Sequence, residues 1–280
     1  MAFLPLRKIA DPALVSVGRE WIEQLGAALA DPKCDRPLLC RTQLTALTFP
    51  DYVNNWETAV NDKALPAATR LALGSTDPRN ITLEPEYYGD CDNEKFQRVK
   101  PLLWLWYSFD RTTAGAQNVW LGVELRRLLA RHIFKKCGEN FKCFQHTEFS
   151  FGYSMEVGDN VVVHRHVLLD DRGGIRLGNK VSISDYANIY SHTHSIVEQR
   201  DVTNATTIID DGVRITYHAT VLAGVHVAED SMVGAMALAT KDVRPHHVYV
   251  GIPAKSVRVK PTGTENAETV TQTARERGSR

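Results

Sequence analysis

Six histidines, His164, His166, His192, His194, His218 and His226, lie close together in the second half of the chain. An imidazole titrates near neutral pH, so it can take a proton from a hydroxyl or an amine and return it later. His192 and His194 stand two residues apart, immediately before a polar insertion, and His164 and His166 repeat that spacing. Three chemistries compete for this pattern. The rings can be exposed turn residues, one of them can be a general base, or several can ligate zinc, with His218 adding a nitrogen from a neighbouring coil or chain. The place of His192 and His194 at the root of an insertion favours the base. The five cysteines, Cys34, Cys40, Cys91, Cys137 and Cys143, are odd in number and lack CxxC spacing. That excludes a zinc ribbon or a disulfide framework and fits free thiols in a reducing compartment.

The elements that position these residues follow from a change of texture near residue 150. Beyond it, helical periodicity gives way to a six-residue period. Its blocks begin at Val157, Val163, Leu169, Leu177, Ile183 and Ile189, and resume at Ile209, Ile215, Val221, Val227, Val233 and Ala239. A regular repeat outranks other evidence on fold. Each hexad reads as a short strand and a turn, and three hexads close one triangular coil of a parallel β-helix. No coil can bury its aliphatic face alone, so the coils stack. Counting in threes stacks Val163, Ile183, Ile215 and Val233 on one edge and Leu169, Ile189, Val221 and Ala239 on the next. The period breaks between His194 and Ile209. A solenoid expels such an insertion as an outward loop, and loops of that length are usually functional.

The N-terminal half reads as helical. Asp11-Pro12 is an N-cap followed by proline at the first helical position, with Leu14, Val17, Trp21 and Leu25 on one face. Pro50-Asp51 opens a short helix containing Val53, Trp56 and Val60. The strongest helix is expected from Asn118 to Lys136, with Leu125, Leu128, Leu129 and Ile133 buried, Arg126, Arg127 and Arg131 solvated, and Gly138 ending it. The expected organisation is a mainly helical region over 1–136, a β-helix over 137–260 and a polar, unstructured tail over 261–280. The chain has 280 residues, with 33 Lys and Arg balanced by 33 Asp and Glu. This neutrality argues against a nucleic-acid binder, and the lack of a basic run argues against a polybasic membrane anchor. The longest apolar stretch, around Leu102 to Tyr107, is too short for a bilayer. The N-terminus lacks a signal-like apolar run, so a cytoplasmic location is the default expectation.

From Leu125 to Lys260 the sequence resembles the hexapeptide-repeat acetyltransferases, particularly the maltose and galactoside O-acetyltransferase branch. YSHTHSIVEQR at 190–200 is similar to the family segment that carries a general-base histidine and ends in arginine. ATKDVRPHHVYVGIPAKSVR is similar to its TKD…GxPAK closing segment. The resemblance implies a left-handed β-helix, acetyl-CoA as acyl donor, no metal, and a homotrimer with sites between subunits. It also implies acetyl transfer to a hydroxyl of a sugar or related small acceptor, without covalent enzyme intermediate. His194 matches the base, with Ser195 where proline is usual. Ser150 and Asp171 match acceptor contacts. His164 and His166 stand where asparagines are usual, and His192 where a small residue is common. Tyr217, Ala235, Thr240, Lys241, Lys255 and Arg258 match positions lining coenzyme A, and a cationic pair near the chain end suits its phosphates. Tyr217 replaces a small residue and Arg214 a tryptophan, which alters the cofactor groove.

Two other readings follow from the same fold. A non-catalytic trimeric scaffold would keep the β-helix with its cofactor groove blocked. A zinc enzyme resembling the γ-class carbonic anhydrases would use the histidine pairs, but the usual pair with four intervening residues is missing.

Overall fold

A computed structural model describes residues 4–198 and 200–261; of the expected tail, all but Pro261 lies outside them. Seven α-helices precede the β-strands: α1 Pro12–Ala30, α2 Arg36–Thr48, α3 Trp56–Asn61, α4 Ala67–Gly74, α5 Tyr87–Asp90, α6 Asn93–Phe109 and α7 Val119–Ile133. The helix starts obey their caps. Asp11, Asp35, Asp92 and Asn118 each accept a hydrogen bond from a backbone N–H of the first turn.

Two helical expectations are corrected. In α1 the buried face is Val15, Gly18, Leu25 and Leu29, whereas Leu14 and Val17 are exposed. The helix is rotated because Gly18 lets the Trp120 ring approach within 3.1 Å of where a Cβ would stand. In α7, Leu125, Leu129 and Ile133 are buried as expected, but the helix stops at Ile133 and Lys136 already begins a strand. Arg126 is not solvated. It is 1% exposed, ion-paired with the equally buried Asp110, and donates to the Cys143 carbonyl at 3.3 Å.

The remainder is a parallel β-helix of about six turns. Sheet A contains Lys136–Cys137, Met155–Val157, Ile175–Leu177, Thr207–Ile209 and His226–Val227. Sheet B contains Lys142–Cys143, Val162–Val163, Ser182–Ile183, Arg214–Ile215 and Met232–Val233, then an antiparallel hairpin of His247–Val250 and Lys255–Val259. Sheet C contains Glu148–Phe149, Leu168–Asp170, Asn188–Tyr190, Thr220–Val221 and Leu238–Ala239. Both expected columns form in register: Val163, Ile183, Ile215 and Val233 in sheet B, and Leu169, Ile189, Val221 and Ala239 in sheet C. All eight are essentially inaccessible to water.

The corners are built by two different devices. Between sheets A and B, and between B and C, each turn places a residue in the left-handed region. His146, His166, Tyr186 and His218 occupy it at the B–C corner, with φ between 55° and 62°. Left-handed backbone costs an L-residue about 1–2 kcal/mol. Stacking offsets part of that, since the four rings form a column with centroids 4.8 Å apart, the spacing of the strands beneath them. The C–A corner instead uses glycine, Gly152, Gly174 and Gly224, and its connections vary in length. There the insertion leaves as a hairpin, His192–His194 pairing antiparallel with Val202–Asn204.

The first coil falls within the β-helix expected over 137–260 but carries no aliphatic hexad pattern, because its interior is aromatic. Phe141 and Phe149 pack against Phe134, and Phe149 meets Trp106 edge-on at 5.3 Å. Cys137 and Cys143 therefore lie inside the solenoid. The helices also satisfy the edge that the first coil leaves unpaired. Arg127 donates to the Phe141 carbonyl, Arg126 to Cys143, Trp106 to Thr147, and the Tyr107 hydroxyl bonds both backbone groups of Phe149.

Candidate active site

The C–A corner gathers the chemistry. Strand Leu168–Asp170 ends with a carboxylate one coil away from Tyr190, so Asp170 lies beside the root of the hairpin. Its Oδ1 accepts from the Ser150 hydroxyl at 2.5 Å, and its Oδ2 from the Ser191 backbone N–H at 3.2 Å. The same Oδ2 engages Nδ1 of His192 in a short contact. With Asp170 buried, that bond orients the ring and leaves Nε2 as the atom free to take a proton. The His194 ring stands 5.4 Å from that of His192 at 82°.

The helical region supplies the second half of the site. Oε1 of Glu86, which flanks α5, lies 3.4 Å from Nε2 of His194. The same carboxylate accepts from Arg172 Nη1 at 2.5 Å, and Asp90 takes the other side of that guanidinium. The hydrogen bond from Arg172 holds the Glu86 carboxyl below its ordinary range, with smaller help from His194 and His192. Arg172 has a 1% exposed side chain and stacks over Tyr87 at 5.1 Å. Two imidazoles are thus each paired with a carboxylate, one carboxylate from the solenoid and one from the helices.

Gly173 sets the hairpin root. A Cβ there would stand 2.3 Å from the Ser191 carbonyl oxygen and 2.6 Å from the Ala205 nitrogen. The glycine lets Ser191 accept from Ala205 N while its hydroxyl accepts from Gly173 N and donates to the Asp170 carbonyl.

Not every residue expected from sequence arrives here. Asp171 is corrected: it is fully buried, and its oxygens accept from the backbone N–H groups of Phe151, Gly152 and Ser154, so it clamps a turn instead of facing an acceptor. Burial pushes its pKa up to about 6 against those three hydrogen bonds. Ser150 is corrected likewise, since its buried hydroxyl is spent on Asp170. His164 and His166 sit at the B–C corner, His164 stacked on Phe144 and His166 within the ring column, and within one chain they do not join His194. The six residues expected around coenzyme A lie on the last coils and the closing hairpin. Tyr217, Ala235, Thr240, Lys241, Lys255 and Arg258 are all exposed, and none of the three cations has an ion-pair partner among the described residues.

Glu86, Asp90, Asp170 and Arg172 were missed. Asp170 had a usable signal, because the hexad register puts position 170 beneath 190, one residue from Ser191. Glu86 and Asp90 had none, being joined to the site only by tertiary packing. Glu86, His192 and His194 are also the one group among the described residues whose ligand atoms, all within 4.8 Å of each other, suit a metal. Arg172 already occupies Glu86, and Asp170 would stand behind His192 as an outer carboxylate.

No family model matches the chain. It is 30% identical over 153 residues to a putative acetyltransferase of Staphylococcus aureus (strain COL), covering 52% of this chain and 77% of that one. It is 26% identical over 140 residues to the galactoside O-acetyltransferase of Escherichia coli (strain K12), covering 49% and 69% respectively. Among solved structures it resembles a maltose O-acetyltransferase from Clostridium difficile 630, with a TM-score of 0.53, 22% identity, and coverage of 60% of this chain and 87% of that one. A hexapeptide-repeat acetyltransferase from Vibrio cholerae, solved with acetyl coenzyme A, gives a TM-score of 0.51 at 22% identity over the same shares. These structures share the left-handed β-helix.

Proposed function

The chain belongs to the hexapeptide-repeat acetyltransferase family, and on that premise we propose that it transfers an acetyl group from acetyl-CoA to a hydroxyl of a sugar or related small acceptor. His194 is the general base. The observation that carries this reading is the pair of carboxylate-backed imidazoles at the hairpin root.

The reaction runs in one ternary complex. His194 takes the acceptor's proton as the oxygen attacks the thioester carbonyl, and the tetrahedral intermediate collapses with cleavage of the C–S bond. The imidazolium returns the proton to the departing thiolate. Backbone N–H groups stabilise the oxyanion. Direct transfer fits the thiols, because burial raises the pKa of Cys91, which follows Asp90, and pushes Cys137 up to about 11 and Cys143 up to about 12, leaving all three protonated and poorly nucleophilic. Ser150 acts through Asp170 on His192. Lys241, Lys255 and Arg258 hold the phosphates of coenzyme A, with Tyr217, Ala235 and Thr240 along its pantetheine arm. In a homotrimer the half-buried His164 and the exposed His166 would face the acceptor bound beside a neighbour's His194. The solenoid boundary near residue 136 makes the preceding helices an acceptor-side wall. Free thiols throughout the described residues suit a reducing compartment, in keeping with the cytoplasm.

A second assignment of the base, His192, is favoured by its bond to buried Asp170. Turnover of His194→Ala and His192→Ala separates them, since loss of the base costs about 10²–10⁴-fold and loss of a neighbour less. The donor is tested by calorimetric titration with acetyl-CoA of the protein and of a Lys255→Ala/Arg258→Ala variant. Micromolar binding weakened by the substitutions is expected. No binding at millimolar acetyl-CoA overturns the proposal and leaves a scaffold or a metal site.

A further inference from the structure

The chain is neutral overall, yet one of its cavities is strongly cationic. About 690 Å³ of space lies between helices α2, α6 and α7 and the outer face of sheet A. Seven Arg or Lys residues and one histidine line it, against the single carboxylate Glu156. Cations toward the solenoid have partners: Lys135 and Arg176 share Glu156, and Arg131 reaches Glu139 at 3.2 Å. Arg36 and Arg98 have no ion-pair partner among the described residues, and Arg36 spends one N–H on the Arg98 carbonyl.

This arrangement is unfavourable in the empty protein. Burial, with Arg98 next to it, lowers the pKa of Arg36. Burial, with Arg36 and Arg131 nearby, lowers that of His132. A folded chain that keeps like charges this close gains stability from any multivalent anion that enters. Planar guanidinium forks match phosphate oxygens in pairs, and the volume is that of a small-molecule site, larger than one inorganic ion needs. Arg172 and Gly173 belong both to this cavity and to the wall of the candidate active site.

We propose that this cavity binds a phosphate-bearing small molecule other than the acyl donor, held by Arg36, Arg98 and Arg131. On the acyl-transfer reading, on which only this last step rests, the ligand is the acceptor, entering past Arg172 with its nucleophile toward His194.

The test is calorimetric titration with inorganic pyrophosphate at low ionic strength, using the full chain and two variants. Arg36→Ala/Arg98→Ala removes the unpaired cations. Arg131→Ala stands apart from the α2–α6 contact, so it reports on the site even where the double variant loosens the helices. Micromolar affinity that falls at least about tenfold in Arg131→Ala and weakens with added salt supports the site. No binding at about 1 mM, or affinity unchanged in both variants, overturns it. The titration is repeated with saturating acetyl-CoA: unchanged affinity supports a separate ligand, whereas displacement assigns the cavity to the donor's phosphates and overturns the proposal. A protein that binds acetyl-CoA but no pyrophosphate sinks this inference alone. One that binds pyrophosphate but no acetyl-CoA keeps the anion site and loses acyl transfer.

Discussion

The solenoid and the helical region bury their interiors by opposite means. In the solenoid each hexad contributes one aliphatic side chain to a column, and each column residue meets its counterpart one coil away. Stability there is close to a sum of neighbour terms. The helical region buries charge as well. Arg126 and Asp110 are both almost inaccessible, Asp110 also accepts from His146 N, and Lys100 donates to the Arg79 carbonyl. One region is held by repetition, the other by single junctions that nothing duplicates. The site straddles both, taking its imidazoles from the solenoid and Glu86 from the helices.

Substitutions can break or sharpen that contrast. The largest effect expected is on catalysis: His194→Ala should lower kcat by about 10²–10⁴-fold while its urea midpoint stays near wild type. Near-normal turnover would unseat His194 and pass the role of base to His192, on its bond to Asp170. Next comes Arg126→Ala, which strands a buried carboxylate and should cost about 3–5 kcal/mol in urea melts. Glu86→Gln should lower kcat by about tenfold with little change in fold, a loss that a helical region with no part in the reaction would not produce. The Glu86 contact also carries a pH signature. Its carboxyl is held below the ordinary range, so the stabilisation is present above that range and is lost only as pH falls through the depressed value. The stability gap between wild type and Glu86→Gln, measured by urea melts from pH 7 downward, should hold steady and then close at acid pH. A gap that closes near neutrality would contradict the Arg172 pairing. The smallest effect expected is Ile183→Val, one methylene from a column, at about 1 kcal/mol. A cost equal to that of Arg126→Ala would end the distinction between repetition and junction.

The same contrast decides what could be read from sequence. Stacks such as Val163 on Ile183 on Ile215 were legible because a solenoid converts sequence spacing directly into spatial contact. The hairpin was legible as a break in the period, and His194 by its place before that break. Arg126 was not, since a helical arginine looks solvated until Asp110 and the Cys143 carbonyl are known to surround it. Glu86 and Asp90 were hidden for the same reason, because their partner Arg172 is more than eighty residues away and no period connects them. The start of the solenoid near residue 137 was legible, but the hexads of its first coil were not, since Phe141 and Phe149 replace aliphatic residues where the helices dock.

The backbone bonds that α6 and α7 make to Phe141, Cys143, Thr147 and Phe149 have a consequence for self-association. A β-helix ends in three unpaired strand edges, each a template for another chain. At the far end the hairpin of His247–Val250 and Lys255–Val259 pairs with the sheet B edge. At the near end side chains of Arg126, Arg127, Trp106 and Tyr107 take the place of a further coil. The helices therefore act as a chain terminator for stacking, and a solenoid stripped of them would present a coil-shaped template able to seed end-to-end filaments.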